Sequence, residues 1–144
     1  AHMAETGELA DNTVVTTVMS NIGLYKALDR LGLSYERTDV GDKYVSACMQ
    51  EHDYSLGGEQ SGHVIFSKYA AAGDGISTSL RVIQTMVETG KSLAELHKPL
   101  TIYPQLLKNV EVEDKHAVME SPVVKEAVAA VEQALHPAPS RWCA

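Results

Sequence analysis

A cluster of glycines surrounds a carboxylate, a hydroxyl and an imidazole in the middle of the chain. It reads Gly57-Gly58-Glu59-Gln60-Ser61-Gly62-His63. Glycine lets the backbone come close to a ligand and adopt positive φ values that other residues avoid. A carboxylate in such a loop can accept hydrogen bonds from two neighbouring hydroxyls, as a sugar diol presents them, and a nearby serine can donate or accept another. The pattern indicates a ligand-binding loop, with a plain glycine-rich turn between a helix and a strand as the alternative.

A second candidate site is the turn at 38–44, where a predicted strand ends and a helix begins. Ligands of α/β proteins often bind at such strand ends. Asp42 is placed to cap the helix, and capping alone explains the spacing. The remaining chemistry-bearing residues include no His-x-x-x-His pair, no Gly-Lys-Ser/Thr phosphate loop and no Gly-x-Ser-x-Gly elbow. We therefore predict no metal site in this chain.

The elements that must position these residues alternate between strands and helices. β-branched and apolar residues predict strands at 12–19, 33–40 and 64–66. Helices are predicted after each of the first two strands and again from residue 75. The alternation predicts a three-layer α/β/α domain with a mainly parallel mixed sheet.

Capping residues predict where these helices begin and end. Ser20, Asp42 and Asp74 are placed as N-caps, and Ser92 forms a capping box with Glu95. The predicted C-terminal glycines are Gly32 and Gly90. The helix from residue 75 has one apolar face, and the helix after Asp42 is expected to bury four side chains. These two sets are Ile76, Leu80, Ile83 and Val87, and Tyr44, Val45, Cys48 and Met49.

The pattern changes after Pro104. A strand-like stretch at 106–112 is followed by a helix that Ser121-Pro122 begins, since proline is favourable at the first helical position. One strand and one helix cannot form a core. We therefore expect the α/β domain to be followed by a partial strand–helix segment of a truncated α+β domain. The expected organisation is a cloning scar or linker at 1–7, the α/β domain at 8–103, the partial domain at 104–135 and a non-native tail at 136–144.

Composition excludes several classes of partner. The 144 residues carry a formal net charge of −7 with no basic cluster, so nucleic acid and anionic membrane surfaces would repel the chain. No apolar run approaches the roughly 20 residues that span a bilayer. The first residues lack the charged and apolar regions of a signal peptide. We therefore expect a cytoplasmic protein.

The glycine-rich loop resembles the sugar-binding loop of the α-D-phosphohexomutase superfamily. Other segments, in the same order, are similar to the bacterial phosphoglucosamine mutase branch, and the resemblance covers about residues 8–135. They are Thr17-Val18-Met19-Ser20-Asn21-Ile22-Gly23, Val40-Gly41-Asp42-Lys43-Tyr44-Val45, Gly73-Asp74-Gly75-Ile76 and Tyr103-Pro104-Gln105.

The resemblance implies an isomerase of amino-sugar metabolism that acts on a hexosamine phosphate. Such enzymes interconvert glucosamine 6-phosphate and glucosamine 1-phosphate, on the route to cell-wall precursors, through a phosphoserine, a magnesium ion and a bisphosphate intermediate. They have four domains, and this chain matches the third and the start of the fourth. The serine, metal and phosphate loops of the family are not found here. We therefore expect no catalytic residue, no metal ligand and no activity in this chain alone.

The resemblance also assigns substrate-binding roles to individual residues. Glu59 would accept hydrogen bonds from sugar hydroxyls, with Ser61 beside it. Gly58 and Gly62 would shape the loop, and His63 would support it. A further candidate is Lys43, which would meet substrate phosphate or hydroxyls, although the family more often has arginine there.

Two alternatives stay open at this point. The chain could come from a phosphomannomutase or phosphoglucomutase, or it could be an independent α/β binding module. Residues after about 104 lack sheet partners, so they are expected to be mobile or to self-associate with another copy.

Overall fold

A five-stranded sheet forms the centre of the computed structural model, which describes residues 1–135 and 141–142. Its strand order is β4-β3-β1-β2-β5. The central strand β1 pairs in parallel with β2 and β3, β4 is antiparallel to β3, and the short β5 is parallel to β2. The bounds are β1 Thr13–Thr17, β2 Ser34–Thr38, β3 Leu56–Gly58, β4 Val64–Phe66 and β5 Arg141–Trp142. The predicted α/β fold with a mainly parallel mixed sheet is confirmed.

Seven helices are present in the described residues. Their bounds are α1 His2–Glu5, α2 Ile22–Arg30, α3 Asp42–His52, α4 Gly75–Thr89, α5 Leu93–His97, α6 Lys115–Glu120 and α7 Pro122–Leu135, and a 3₁₀ turn covers Ala10–Asn12. None of these helices combines the length and apolar character needed to cross a membrane. The predicted tail at 136–144 lies outside the described residues except for β5.

Adjacent residues of β1 point into different halves of the core, because side chains alternate along a strand. Val15 is fully buried in one cluster, which α3 supplies with Val45, Cys48 and Met49. Val14 packs against the other cluster, which includes Leu28 of α2. The sheet therefore lies between α3 on one face and α2 on the other.

The structure corrects two predicted helix caps by one residue each. The cap of α2 is Asn21 rather than Ser20, and its Oδ1 accepts a hydrogen bond from the Gly23 N–H at 3.0 Å. The N-cap of α3 is Gly41, which makes no side-chain cap because it has no side chain, so Asp42 lies in the first turn. The caps Asp74 and Ser92 and the C-terminal Gly90 are confirmed.

The predicted apolar face of α4 is largely exposed to solvent. The helix forms as expected, but Ile76, Leu80, Ile83 and Val87 are 55–77% exposed. The opposite side of α4, which includes Arg81 and Thr85, faces an apolar cavity shared with α1 and α5. The sequence predicted the helix because periodicity is local, whereas its neighbours depend on the whole domain. Tyr44 of α3, expected in the core, is also exposed.

The chain divides into two compact units, the first being Ala1–Pro104 with β5 and the second beginning at Gln105. The stretch 106–112, predicted to be strand-like, has no regular secondary structure. A strand needs a hydrogen-bonding partner, so β-propensity alone does not form one. The second unit instead contains α6, which the sequence analysis did not predict, and α7, which begins at Pro122 as predicted.

Candidate functional site

The glycine-rich loop is the turn of a β-hairpin. The sequence placed it between a helix and a strand, but Leu56–Gly58 is itself a strand that pairs with β1 and with β4. The turn is closed by hydrogen bonds from the Glu59 N–H to the His63 carbonyl at 3.0 Å and from the Gly62 N–H to the Glu59 carbonyl at 3.1 Å. Gly62 has φ +100°, a value that favours glycine.

The two glycines before the turn are required by packing rather than by φ. A Cβ on Gly57 would lie 2.5 Å from the Met49 Sδ of α3, and a Cβ on Gly58 would lie 2.9 Å from the His63 carbonyl oxygen. Both distances are shorter than real Cβ atoms tolerate. The glycines therefore let the hairpin lie tightly against α3 and close on itself.

Glu59, Ser61 and His63 converge on one side of this turn. The Ser61 Oγ donates to the Glu59 Oε1 at 2.6 Å, and the His63 Nδ1 lies 3.0 Å from that oxygen and 2.9 Å from the Ser61 Oγ. An ionised carboxylate can only accept hydrogen bonds, and the Ser61 hydroxyl already donates its hydrogen to Glu59. The His63 Nδ1 must therefore carry a hydrogen in order to bond the same carboxylate oxygen. A neutral His63 then has its lone pair on Nε2. The turn thus presents an anchored carboxylate beside an imidazole ring.

The environment keeps Glu59 ionised. The hydrogen bond from Ser61 is the main cause that holds the pKa of Glu59 below its usual value, with further contributions from His63 and the backbone N–H of Gly41. Partial burial acts in the opposite direction, since only 8% of the Glu59 side chain is exposed, against 53% for His63. The hydrogen bonds prevail, so Glu59 is a negatively charged acceptor at neutral pH.

The second candidate turn reaches this carboxylate through its backbone. Gly41 has φ +135°, and the pKa of Glu59 is lowered in part by a hydrogen bond from its N–H. Lys43 follows on the first turn of α3, where its Nζ lies 4.6 Å from the centre of the Tyr44 ring. Within the described residues Lys43 makes no direct hydrogen bond with Glu59, Ser61 or His63.

Gly73, for which the sequence predicts no role, packs against His63 of this site. A Cβ on Gly73 would lie 2.9 Å from the Cβ of His63 and 3.2 Å from its Cα. His63 can therefore sit against this backbone only because Gly73 has no side chain. The signal in the sequence was Gly73-Asp74-Gly75, which reads as a helix start and hides the packing role of the first glycine.

A mostly apolar cavity of about 330 Å³ lies behind the hairpin turn. Its walls include Gly57–Gln60, residues of β1 and α2, and Leu100 and Ile102 of the segment at 99–103. This segment, the strap, therefore forms one wall of a cavity that Glu59 also lines.

The described residues do not fit a metal ion. No group of three or more His, Cys, Asp or Glu side chains in this part of the chain is arranged to hold one. At the hairpin turn, Glu59 is already engaged by Ser61 and His63, and no second carboxylate joins them. The hairpin turn therefore offers hydrogen-bonding groups and not a set of metal ligands.

Comparison with known proteins shows similarity over most of the chain. The model of the family described as phosphoglucomutase/phosphomannomutase, alpha/beta/alpha domain III, matches residues 1–103. Phosphoglucosamine mutase from Lachnospira eligens is 56% identical over 134 residues, which are 93% of this chain and 30% of that protein. The Nocardia farcinica and Oceanobacillus iheyensis phosphoglucosamine mutases are 51% and 48% identical over 92% and 93% of the chain. The chain spans about 30% of the length of these relatives.

Proposed function

Because the chain belongs to the phosphoglucomutase/phosphomannomutase family, as its alpha/beta/alpha domain III, we propose that it is the sugar-binding domain of a phosphoglucosamine mutase. The site would bind the hexosamine ring through its hydroxyls. The whole protein would interconvert glucosamine 6-phosphate and glucosamine 1-phosphate, in the cytoplasm.

The observation that carries the proposal is the preorganised carboxylate at the hairpin turn. Ser61 and His63 both contact Glu59 Oε1, which fixes the side chain and holds it ionised. Hydrogen bonds to a charged group are worth about 1.5–3 kcal/mol each. A carboxylate that is held in place before binding avoids the entropy cost of ordering its side chain when the ligand binds. Neighbouring hydroxyls of one sugar ring, which can both donate to it, are a suitable ligand.

Lys43 adds a cation two residues after Gly41, whose N–H helps to lower the pKa of Glu59. It lies on the turn whose Gly41 N–H contacts Glu59, and its exposed side chain can reach toward an anionic group of a bound ligand. We propose that Lys43 contacts the phosphate or a hydroxyl of the substrate, while Glu59 accepts hydrogen bonds from the sugar hydroxyls.

The chemical step is assigned to other parts of the full-length protein. Phosphoryl transfer needs a nucleophile and groups that stabilise the transferred charge, and we propose that these, with the magnesium ion, belong to the segments outside this chain. The chain alone would then bind without turnover.

The glucosamine branch is favoured over the phosphomannomutase and phosphoglucomutase branch by the relatives named above, which are phosphoglucosamine mutases at 48–56% identity. A stand-alone binding module is the remaining alternative. It would bind its ligand with an affinity that does not change when the other domains are supplied.

Ligand titrations of the ¹⁵N-labelled chain, followed by NMR, test the binding role. Glucosamine, glucosamine 1-phosphate and inorganic phosphate are compared at matched ionic strength. Both sugars should shift the amides of 58–63, and only the phosphate-bearing ligands should shift Lys43. Because the chain supplies only part of the protein, we expect a Kd on the order of millimolar.

Two charge-neutralising variants provide the control. Glu59→Gln should abolish the sugar-induced shifts, whereas Glu51→Gln, which removes an exposed carboxylate of α3, should leave them unchanged. Shifts that follow inorganic phosphate alone and persist in Glu59→Gln would contradict a sugar-reading role.

A coupled mutase assay tests the division of labour. The chain with glucosamine 1-phosphate, magnesium and a bisphosphate activator should show no turnover beside an active full-length relative. In the Lachnospira eligens enzyme carrying this chain's matching segment, Glu59→Ala should lower kcat/KM by orders of magnitude. Turnover by the chain alone, or near-normal kcat/KM in that variant, would refute the assignment.

A further inference from the structure

Two segments that the function above does not use meet in the structure. Asn21 is the N-cap of α2 and Gly23 lies in its first turn, and Tyr103 ends the strap about 80 residues later. The Asn21 Nδ2 donates to the Tyr103 carbonyl at 2.8 Å, and the Tyr103 N–H donates to the Asn21 Oδ1 at 3.1 Å. One side chain thus satisfies both backbone groups of Tyr103, as a neighbouring strand would.

Gly23 extends this contact by steric fit. A Cβ at residue 23 would lie 1.8 Å from the Thr101 carbonyl oxygen, so the strap can occupy its position only because residue 23 is glycine. This glycine sits in the first turn of α2, where alanine would otherwise be the better helix former. Glycine at position 23 is therefore required by the close approach of the strap and not by the helix.

The same side of α2 continues to hold the strap at later turns. The Lys26 Nζ lies 4.4 Å from the centre of the Tyr103 ring, and the Arg30 Nη2 donates to the Pro99 carbonyl at 2.6 Å. The residues 23, 26 and 30 share one helix face. Their counterparts on the strap are the Thr101 carbonyl for Gly23, the Tyr103 ring for Lys26 and the Pro99 carbonyl for Arg30.

The intervening side chains connect the strap to the sugar site. Leu100 and Ile102 line the cavity of about 330 Å³ that Gly57–Gln60 also line. If the strap left α2, the mostly apolar cavity that Glu59 also lines would lose the wall formed by Leu100 and Ile102. The strap therefore supports the back of the hairpin turn.

From this geometry we infer that Asn21 and Gly23 form a clamp that positions the Glu59 turn through the strap. The two residues are positioning residues and touch no substrate. The inference deepens the proposed function, because it concerns how the proposed sugar site is held, but its primary test needs no sugar.

Amide hydrogen exchange and a Glu59 carboxyl titration, both by NMR on the ligand-free chain, test the clamp. Asn21→Ser keeps an N-cap for α2 but is too short to pair with Tyr103. It should speed exchange of the Tyr103 amide by about tenfold or more, as expected for loss of a hydrogen bond, while α2 stays protected. The titration midpoint of Glu59 should move toward its ordinary value as its surroundings loosen.

Gly23→Ala is the second, independent variant. It should free the strap and shift Glu59 in the same way, even though alanine favours helix. Gly75→Ala in the first turn of α4, where a Cβ has open space, and Asn109→Ala in an exposed segment are the matched controls and should change neither reading.

The outcomes separate the clamp from the proposed function. Unchanged Tyr103 exchange in both clamp variants, or faster exchange with an unchanged Glu59 titration, would overturn the inference. Failure of the unmodified chain to bind sugar would overturn the proposed function. The clamp would still be decided by the Tyr103 amide exchange and the Glu59 titration. In the Lachnospira eligens enzyme carrying this segment, Asn21→Ser should raise KM more than it lowers kcat.

Discussion

Glu59 owes its behaviour to two neighbours within four residues of it. The hydroxyl of Ser61 and the imidazole of His63 share its Oε1, and Gly73 gives His63 the room to do so. A hydrogen bond to the ionised form lowers a carboxyl pKa, which is why a largely buried glutamate remains charged here.

Ser61→Ala should raise the pKa of Glu59 toward its ordinary value, since the Ser61 hydrogen bond is the largest cause of its lowering. A folded-state pKa below the unfolded one stabilises the protein above the unfolded pKa, and that contribution disappears as the pH falls through the folded pKa. The variant should thus be less stable than the original chain at pH 7, with the difference shrinking below about pH 4.5. Carboxyl NMR titration and urea unfolding at several pH values measure both effects.

The control for this charge prediction is Ser79→Ala in α4, whose hydroxyl bonds only the carbonyl of its own preceding turn. It should leave the Glu59 titration unchanged. A stability difference for Ser61→Ala that stays constant from pH 7 to pH 3 would show that Glu59 ionisation is not involved.

Gly73→Ala should displace His63, because the new Cβ would lie 2.9 Å from the His63 Cβ. The ring should lose its contact with Glu59, and the NMR signals of both side chains should shift. Gly75→Ala, two residues along, meets open space and serves as the matched control. Equal spectra for the two variants would contradict the close packing behind His63.

At the scale of elements, the hairpin depends on its contact with α3. Gly57 of β3 pairs with Val15 and Ile65 while Met49 and Val45 press on it from the helix. The strand is only three residues long and two of them are glycine, so its own β-propensity is low. Packing against α3 and hydrogen bonding to β1 and β4, rather than the β-propensity of its own residues, stabilise β3 and the Glu59 turn that follows it.

A double-mutant cycle between Gly57→Ala and Met49→Ala tests this contact. Overpacking by Gly57→Ala should cost about 1–3 kcal/mol, and the cavity left by Met49→Ala about 2–5 kcal/mol. In the double variant the added methyl occupies part of the vacated space, so its cost should be less than the sum by about 0.5–3 kcal/mol. Urea unfolding measures each value, and strict additivity would mean that β3 and α3 are not in direct contact.

The two units of the molecule differ in how much they bury. The first has two hydrophobic clusters on either side of the sheet, whereas α6 and α7 expose most of their side chains, among them Val123, Val128 and Val131. Short helices derive most of their stability from packing. The second unit is therefore expected to be marginally stable.

Hydrogen exchange across the chain measures that difference. Amides in 105–135 should exchange faster than those of β1 by orders of magnitude, because local opening there exposes little apolar surface. If they are protected instead, light scattering should find a dimer, and Val128→Asp should return the chain to a monomer with fast exchange. Protection of 105–135 in a verified monomer would contradict this view of the second unit.

The sequence by itself determined the features that depend on near neighbours. The strands β1, β2 and β4, the caps Asp74 and Ser92, and the grouping of Glu59, Ser61 and His63 in one short loop are all local patterns. Resemblance of several short motifs identified the family for the same reason.

Only the tertiary structure decided which distant residues meet. It made a strand of Leu56–Gly58, placed Gly73 behind His63, joined Asn21 to Tyr103 and left the apolar face of α4 exposed. Each of these depends on backbones brought together across many residues. Hydrogen bonds and steric fit of that kind have no period along the chain, so residue types alone cannot foretell them.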